Sequence, residues 1–229
     1  MRFDGVHAVV TGGAGALGHA VVARLLAAGS HVHVPWFDET DSAAPSFTGG
    51  AYTTSKVDLR SESEVNSFYR SLPDLGVSIH LAGGFAMAPI LETTGADVER
   101  MMQMNAMTCF YCCREAVRRM RSAGRGGRIV NVAARPAVRP VGGMIAYSMS
   151  KAAVASITQS LAEEVREDRI LVNAILPSIL NTPANRAAMP DADHASWPLL
   201  DDVTQMIVSL AAPANTVTSG ALLPVYGRA

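Results

Sequence analysis

Several things are missing from this chain, and each absence removes a class of function. No apolar run approaches the roughly 20 residues needed to span a bilayer. The N-terminus, Met-Arg-Phe-Asp-Gly-Val, lacks the apolar core of a signal peptide and runs straight into a strand pattern. Charge of one sign is also lacking: 19 Lys and Arg against 20 Asp and Glu give a net charge of -1 and a pI near 6.6. A nucleic-acid groove or an anionic membrane surface needs concentrated positive charge, so neither is expected as a partner. A small molecule and a cytoplasmic setting are expected instead. Cysteine is scarce and clustered, as Cys109, Cys112 and Cys113. With no distant partner they form no disulfide framework. A metal centre would need a second ligand group at suitable spacing, which neither His80 nor His194 provides along the chain, so the expectation is no metal and ordinary helix packing.

What is present is a β-α alternation from end to end. Apolar runs of four to six residues alternate with longer helical patterns, the signature of βαβ units and a parallel sheet. With 49% hydrophobic content, the length suits one α/β domain over residues 1–229. Strands are expected at His7–Val10, His31–Pro35, up to Val57, Ser78–Ala82, Arg128–Val132, Ile170–Ile175 and Ala221–Val225. Helices are expected at Leu17–Ala28, about 62–72, Asp97–Arg121, around Tyr147, and about 200–211. Residues 37–50 read as loop, and 178–198, rich in Pro, Asn, Asp and Ala, read as a mobile flap near the end of the sixth strand, where open α/β sheets bind ligands.

The first chemical signal is Thr11-Gly-Gly-Ala-Gly-Ala-Leu-Gly18, in which Gly13, Gly15 and Gly18 fit G-x-G-x-x-G between a strand and a helix. Glycines allow a tight turn and close approach of a pyrophosphate to the free N–H groups of the helix N-terminus. Gly12, Ala16 and Leu17 complete this phosphate-binding stretch. Trp36 stands at the end of strand two, where an acid usually meets the ribose hydroxyls. It reads either as an adenine-stacking ring or as packing, and Asp38 reads as a solvated loop acid. Both NAD(H) and NADP(H) therefore stay open as cofactor. Asp58, just past strand three, is a candidate for the adenine edge, with Leu59 beside it.

The second signal is Tyr147 and Lys151 in Ala-Tyr-Ser-Met-Ser-Lys, which a helix holds on one face a turn apart. The chain has only two lysines, Lys56 and Lys151, against seventeen arginines. A compact ammonium beside a phenol favours the phenolate and is expected to lower its pKa toward the working range of a general acid or base.

Together these stretches resemble the short-chain dehydrogenase/reductase family along nearly the whole chain. Further matching pieces are Val57-Asp-Leu59, Leu81-Ala-Gly-Gly84, Asn105, Asn173, Pro177-x4-Thr-Pro183 and Thr218-Ser-Gly-Ala-Leu. The resemblance implies a Rossmann-type doubly wound, three-layer fold and an NAD(P)-dependent oxidoreductase. Tyr147 would exchange the proton, Lys151 would bind the nicotinamide ribose and tune Tyr147, and Asn105 would support a relay water. Thr182 would contact the carboxamide, with Ala82, Gly83, Gly84, Pro177 and Ile179 also against the cofactor. The helix at 97–121 and the Tyr147 helix resemble the pair that builds the family's subunit interface, which implies a homodimer or homotetramer. One expected member is missing: the serine thirteen positions before the tyrosine is Ala134. Loss of one donor to a reacting carbonyl costs about 10²–10³ in rate. Arg135 adjoins the gap but alternates to the other side.

Within the family, the chain is similar to the quinonoid dihydropteridine reductase branch in Ala82-Gly-Gly-Phe85, Gly143-Met-Ile-Ala-Tyr-Ser-Met-Ser-Lys151, Leu176-Pro-Ser-Ile-Leu-Asn-Thr-Pro183 and the flap 185–197. That branch also lacks the serine, and the resemblance implies a flat conjugated acceptor lined by Phe85, Ala134, Met189 and Trp197. Trp36 and Asn105 depart from the branch, and Phe85 stands where the branch has a tryptophan. A carbonyl reductase or alcohol dehydrogenase with an altered site, and a dinucleotide-binding regulator without chemistry, are the competing readings.

Overall fold

Seven short runs rich in β-branched residues build one wholly parallel sheet, which the computed structural model describes over residues 1–38 and 43–228. In chain order the strands are β1 (His7–Thr11), β2 (His31–Trp36), β3 (Ala51–Lys56), β4 (Val77–His80), β5 (Gly127–Val132), β6 (Ile170–Pro177) and β7 (Leu222–Val225). They lie in the order β3-β2-β1-β4-β5-β6-β7. Strand order reverses between β1 and β4, so the loops leaving those two strands diverge and open a crevice at the carboxyl edge of the sheet.

Helices cover both faces, as strands apolar on both sides require. Ala8 and Val10 face α1 (Ala16–Ala27) and α7 (Leu200–Ala211), packed with Val21, Leu25, Ile207 and Val208. On the opposite face, Val9, Ile129 and Val172 pack with α2 (Glu62–Ser71), α4 (Thr108–Ala123) and α5 (Ile145–Glu164). Local signals set the helix ends. Ser61 caps α2 by accepting from the Glu64 N–H, and Thr94 and Asp97 form a reciprocal capping box at α3 (Gly95–Met101). Gly124, at φ 66°, stops α4 in the left-handed conformation that lacks steric cost for glycine.

Three sequence expectations change. The fourth strand runs Val77–His80, not to Ala82, because the Leu81 and Ala82 N–H groups turn away to donate to Thr11 Oγ1 at 3.1 and 3.2 Å. The long helix at 97–121 is divided: α3 passes into a π-helical turn, Met102–Met107, before α4 begins, and the wider turn carries Asn105. The segment 178–198 is a folded excursion holding α6 (Pro183–Ala188) and a 3-10 turn at His194–Ser196, closed by a bridge between Asn181 and Leu199. Of the loop expected at 37–50, residues 39–42 lie outside the described residues, and the rest carries no helix or strand.

At the sheet's left side three histidines share a face. His7 lies opposite His31 in register. The rings of His7, His31 and His33 stack at centroid distances of 4.7–5.2 Å. His7 Nδ1 meets His33 Nε2 at 3.0 Å, and His33 Nδ1 meets Thr53 Oγ1 at 2.8 Å. Burial, and then the neighbouring His31 and His7, push the His33 imidazole down to about 4. The native fold therefore holds His33 neutral while the unfolded chain takes up a proton below its ordinary 6.5. Stability is fully present above pH 6.5 and declines as the pH falls toward 4. Thermal unfolding should show this acid limb, and His33→Val should flatten it.

Candidate active site

The turn after β1 is shaped by what has no room for a side chain. A Cβ on Gly18 would lie 2.1 Å from the Gly12 carbonyl oxygen, and one on Gly12, itself at φ 67°, would lie 2.8 Å from the Ala82 nitrogen. Backbone therefore packs on backbone, and the turn, the start of α1 and the end of β4 form one unit. α1 opens at Gly15 with no side-chain cap and no acid in its first turn. Its leading N–H groups, from Ala16 and Leu17 onward, are left for an anion. A cleft of about 790 Å³ continues from this turn, lined among others by Gly13, Trp36, Asp58, Leu59, Ala82 and Gly83. Its dimensions and an uncapped helix N-terminus at one wall fit a dinucleotide.

At the far end of this cleft the structure adds a residue that the sequence reading missed. Arg60 grips both carboxylate oxygens of Asp58 at 2.9–3.1 Å and lies over the Phe37 ring at 5.2 Å. The guanidinium hydrogen bonds hold the Asp58 carboxyl below its ordinary range. Asp58, the candidate for the adenine edge, is half of an ion pair. Trp36 lines the same cleft, half-buried. A basic residue two positions after the acid was the available signal for Arg60.

α5 sets Tyr147 and Lys151 side by side with Nζ 6.0 Å from the phenol ring centroid. Lys151 is buried and donates to the Val132 carbonyl at 2.9 Å. Burial pushes its ammonium down to about 8. Burial pushes the Tyr147 phenol up to about 12. This reverses the expected downward shift of the phenol. The ammonium donates to a carbonyl, and loss of hydration dominates over attraction.

The side-chain amide of Asn105 is tied into the protein. Its Oδ1 accepts from the Gly84 N–H, and its Nδ2 donates to the Gly84 carbonyl and to Ser150 Oγ, each at 3.0 Å. Ser150 Oγ in turn donates to the Tyr147 carbonyl at 2.8 Å. The amide is a clamp between the loop after β4 and the Tyr147 helix, its two N–H groups spent on protein acceptors. Gly83 is held against it: a Cβ there would meet Asn105 Oδ1 at 2.4 Å and Lys151 Nζ at 3.3 Å.

The mouth beside Tyr147 is apolar. The exposed Phe85 meets the Tyr147 ring edge-on at 5.0 Å, and Met87 is exposed on the same loop, which the Ala88 N–H ties to the Gly143 carbonyl. Ala134 is buried and extended. The Arg135 and Arg139 guanidinium groups lie over Tyr226 at 5.4 and 5.6 Å, so Arg135 supplies no donor at the gap. Pro177 ends β6 and Ile179 is exposed just beyond. Thr182 is buried, its hydroxyl capping α6 by accepting from the Asn185 N–H at 3.1 Å. Met189 is half-buried, its carbonyl accepting from His194 Nε2. Trp197 is buried against His194 at 4.7 Å, so its ring belongs to the packing of the excursion.

Comparison with known proteins gives a consistent answer. A model of the short chain dehydrogenase family matches residues 6–193. The galactitol 2-dehydrogenase of Rhizobium johnstonii is 33% identical over 245 residues, covering 98% of this chain and 95% of that protein. The cyclic-di-GMP-binding biofilm dispersal mediator protein of Escherichia coli K12 is 27% identical, covering 98% and 96%. A short-chain dehydrogenase/reductase from Serratia marcescens superimposes with a TM-score of 0.88 at 25% identity, each chain covered in full.

The glycines of the turn differ in a measurable way. Gly15 has only the Gly12 carbonyl oxygen, 3.4 Å away, in the path of a Cβ, and its φ of -75° suits any residue. Gly15→Ala should leave thermal stability within about 0.5 kcal/mol of the parent. Gly18→Ala should cost about 1–3 kcal/mol or more, as overpacking against backbone does. Denaturant unfolding of both variants checks this.

Proposed function

The chain belongs to the short-chain dehydrogenase/reductase family and is an oxidoreductase with an NAD(P)(H) cofactor, and on that premise we propose a reductase whose acceptor is a small, flat, conjugated molecule of the quinonoid dihydropterin type. The observation that carries the reading is a proton donor without the family's serine: Ala134, buried, stands thirteen positions before Tyr147, and the exposed Phe85 meets the phenol ring edge-on. An electron-poor conjugated imine accepts hydride without a second group polarising an oxygen, and an aromatic edge suits its flat face.

In this reading Gly13, Gly15 and the first turn of α1 hold the pyrophosphate, Trp36 and the Arg60–Asp58 pair border the adenosine, and Lys151 binds the nicotinamide ribose. When bound, the dinucleotide supplies the hydride. The Tyr147 hydroxyl supplies the proton. Held up at about 12 by burial, it keeps its proton at neutral pH and so carries the proton to be delivered. Asn105 and Ser150 fix the helix carrying Tyr147 to the loop carrying Gly83 and Phe85. Asp38 forms part of the cleft wall, and selection between NAD(H) and NADP(H) falls to this end. Self-association as a homodimer or homotetramer is part of the proposal: Phe110 on α4 and Met149 on α5 are exposed apolar side chains on the two helices concerned.

A second reading, reduction of a ketone or oxidation of a secondary alcohol, is favoured by similarity to an enzyme named for galactitol. A third, nucleotide binding without chemistry, has a relative named for cyclic-di-GMP, and retention of Tyr147 with Lys151 argues against it here.

Mixing the protein with NADH or NADPH and chemically generated quinonoid dihydropterin, and following absorbance, separates these. Turnover above background is expected, and Tyr147→Phe should lower it about 10²–10⁴-fold with dinucleotide binding retained. Ala134→Ser should leave the pterin rate nearly unchanged, whereas a gain approaching the 10²–10³ of a carbonyl donor on a ketone panel would transfer the assignment to the second reading. Lys151 loses its charge as the pH rises through about 8. kcat/KM for the dinucleotide should therefore fall above that pH, and Lys151→Arg should remove the decline even at reduced turnover.

A further inference from the structure

Spacing along the chain gives His80 no partner, yet packing does. His80 ends β4, and α4 crosses that strand with Cys109 and Cys113 one turn apart on its inner face. A ring nitrogen of His80 and the two sulfurs all lie within 4.8 Å of one another. Cys113 Sγ is 3.5 Å from His80 Nδ1 and 3.9 Å from Cys109 Sγ. All three side chains are at least nine-tenths buried.

These separations are edges of a coordination polyhedron. With zinc about 2.3 Å from thiolate and about 2.0–2.1 Å from imidazole, a tetrahedral site has sulfur–sulfur edges of about 3.8 Å and sulfur–nitrogen edges of about 3.5 Å. We propose that His80, Cys109 and Cys113 form a buried binding site for a soft, thiophilic divalent cation of the zinc class, with Asn131 Oδ1 on the fourth side. Asn131 Oδ1 lies 2.8 Å from His80 Nδ1 and 3.5 Å from Cys113 Sγ. Its orientation is set by Nδ2, which donates to Thr158 Oγ1 at 2.9 Å, and Thr158 is itself anchored to the Val154 carbonyl.

The surroundings serve the bound state as well as the free one. For Nδ1 to ligate, the imidazole proton moves to Nε2, which has Ser78 Oγ at 2.9 Å and Tyr69 Oη at 3.4 Å as hydroxyl acceptors. That is the outer-shell contact that metal-bound histidines use to fix their tautomer. Two thiolates balance a divalent cation, so the occupied site is electroneutral and suited to burial. As hydrogen-bond partners, by contrast, thiols add little, since Asn131, Ser78 and Tyr69 already serve the imidazole. Cys112, buried on the same helix, is not one of the three clustered side chains, so it makes a control.

The full chain, reduced and stripped with chelator, would be titrated with cobalt(II), then with zinc(II). Expected are one equivalent of cobalt per chain with a sulfur-to-metal charge-transfer band, displacement of the band by zinc, and a rise in Tm with zinc. Cys112→Ser should keep the band, and the double variant Cys109→Ser, Cys113→Ser should lose it while circular dichroism stays native. Absence of a band in the folded parent chain, or its survival in the double variant, overturns the proposal. If the double variant does not fold, zinc-edge X-ray absorption of the parent adduct decides: two sulfurs with one or two nitrogen or oxygen ligands support the site, and a shell of nitrogen and oxygen alone overturns it.

Discussion

One hydroxyl holds the crevice together. Thr11 Oγ1 accepts the N–H groups of both Leu81 and Ala82, and it does so where the two halves of the sheet part company, at the ends of β1 and β4. Without that acceptor two part-buried N–H groups would lose their partner. The clamp lets the backbone of Gly12 pack against Ala82, which fixes the start of α1, and sends Gly83 and Gly84 toward Asn105. The glycine turn and the loop toward Tyr147 are therefore positioned by the same contact.

From there the structure is a series of backbone approaches backed by buried amides. Asn105 joins Gly84 to Ser150, and Ser150 joins the Tyr147 helix. Asn131 and Asn173 do similar work deeper in the sheet, the first between His80 and Thr158, the second tying β6 to the segment before β7 through Thr218 and Ala221. Each such amide meets several partners at once, so each constrains the register of elements distant in sequence. The π-helical turn at Met102–Met107 belongs to this scheme, because Asn105 lies inside it and reaches the loop after β4 from there.

Electrostatics at the reacting end follow from burial more than from neighbours. Lys151 and Tyr147 sit side by side, yet each is displaced toward its neutral form, the ammonium down and the phenol up. A pair that favours neutral groups holds its phenol proton at working pH, and this is the state a proton donor starts from. An apolar mouth with Phe85 and Met87 exposed extends the same preference to the molecule that enters.

The order of strands and helices, the glycine turn and the Tyr147–Lys151 pair were legible from residue patterns, because each depends on neighbours within a turn or a strand. A strand followed by closely spaced glycines and an apolar helix has few alternatives, and residues four apart on a helix share a face. What lay beyond reach was every contact between segments distant in sequence. Nothing local showed that His80 faces two cysteines, that Arg60 occupies the Asp58 carboxylate, that Asn105 spends its amide on Gly84, or that the phenol rises in pKa. Those outcomes belong to packing across the sheet, where a parallel register sets partners far apart in sequence against one another and burial outweighs the charge of an adjacent residue.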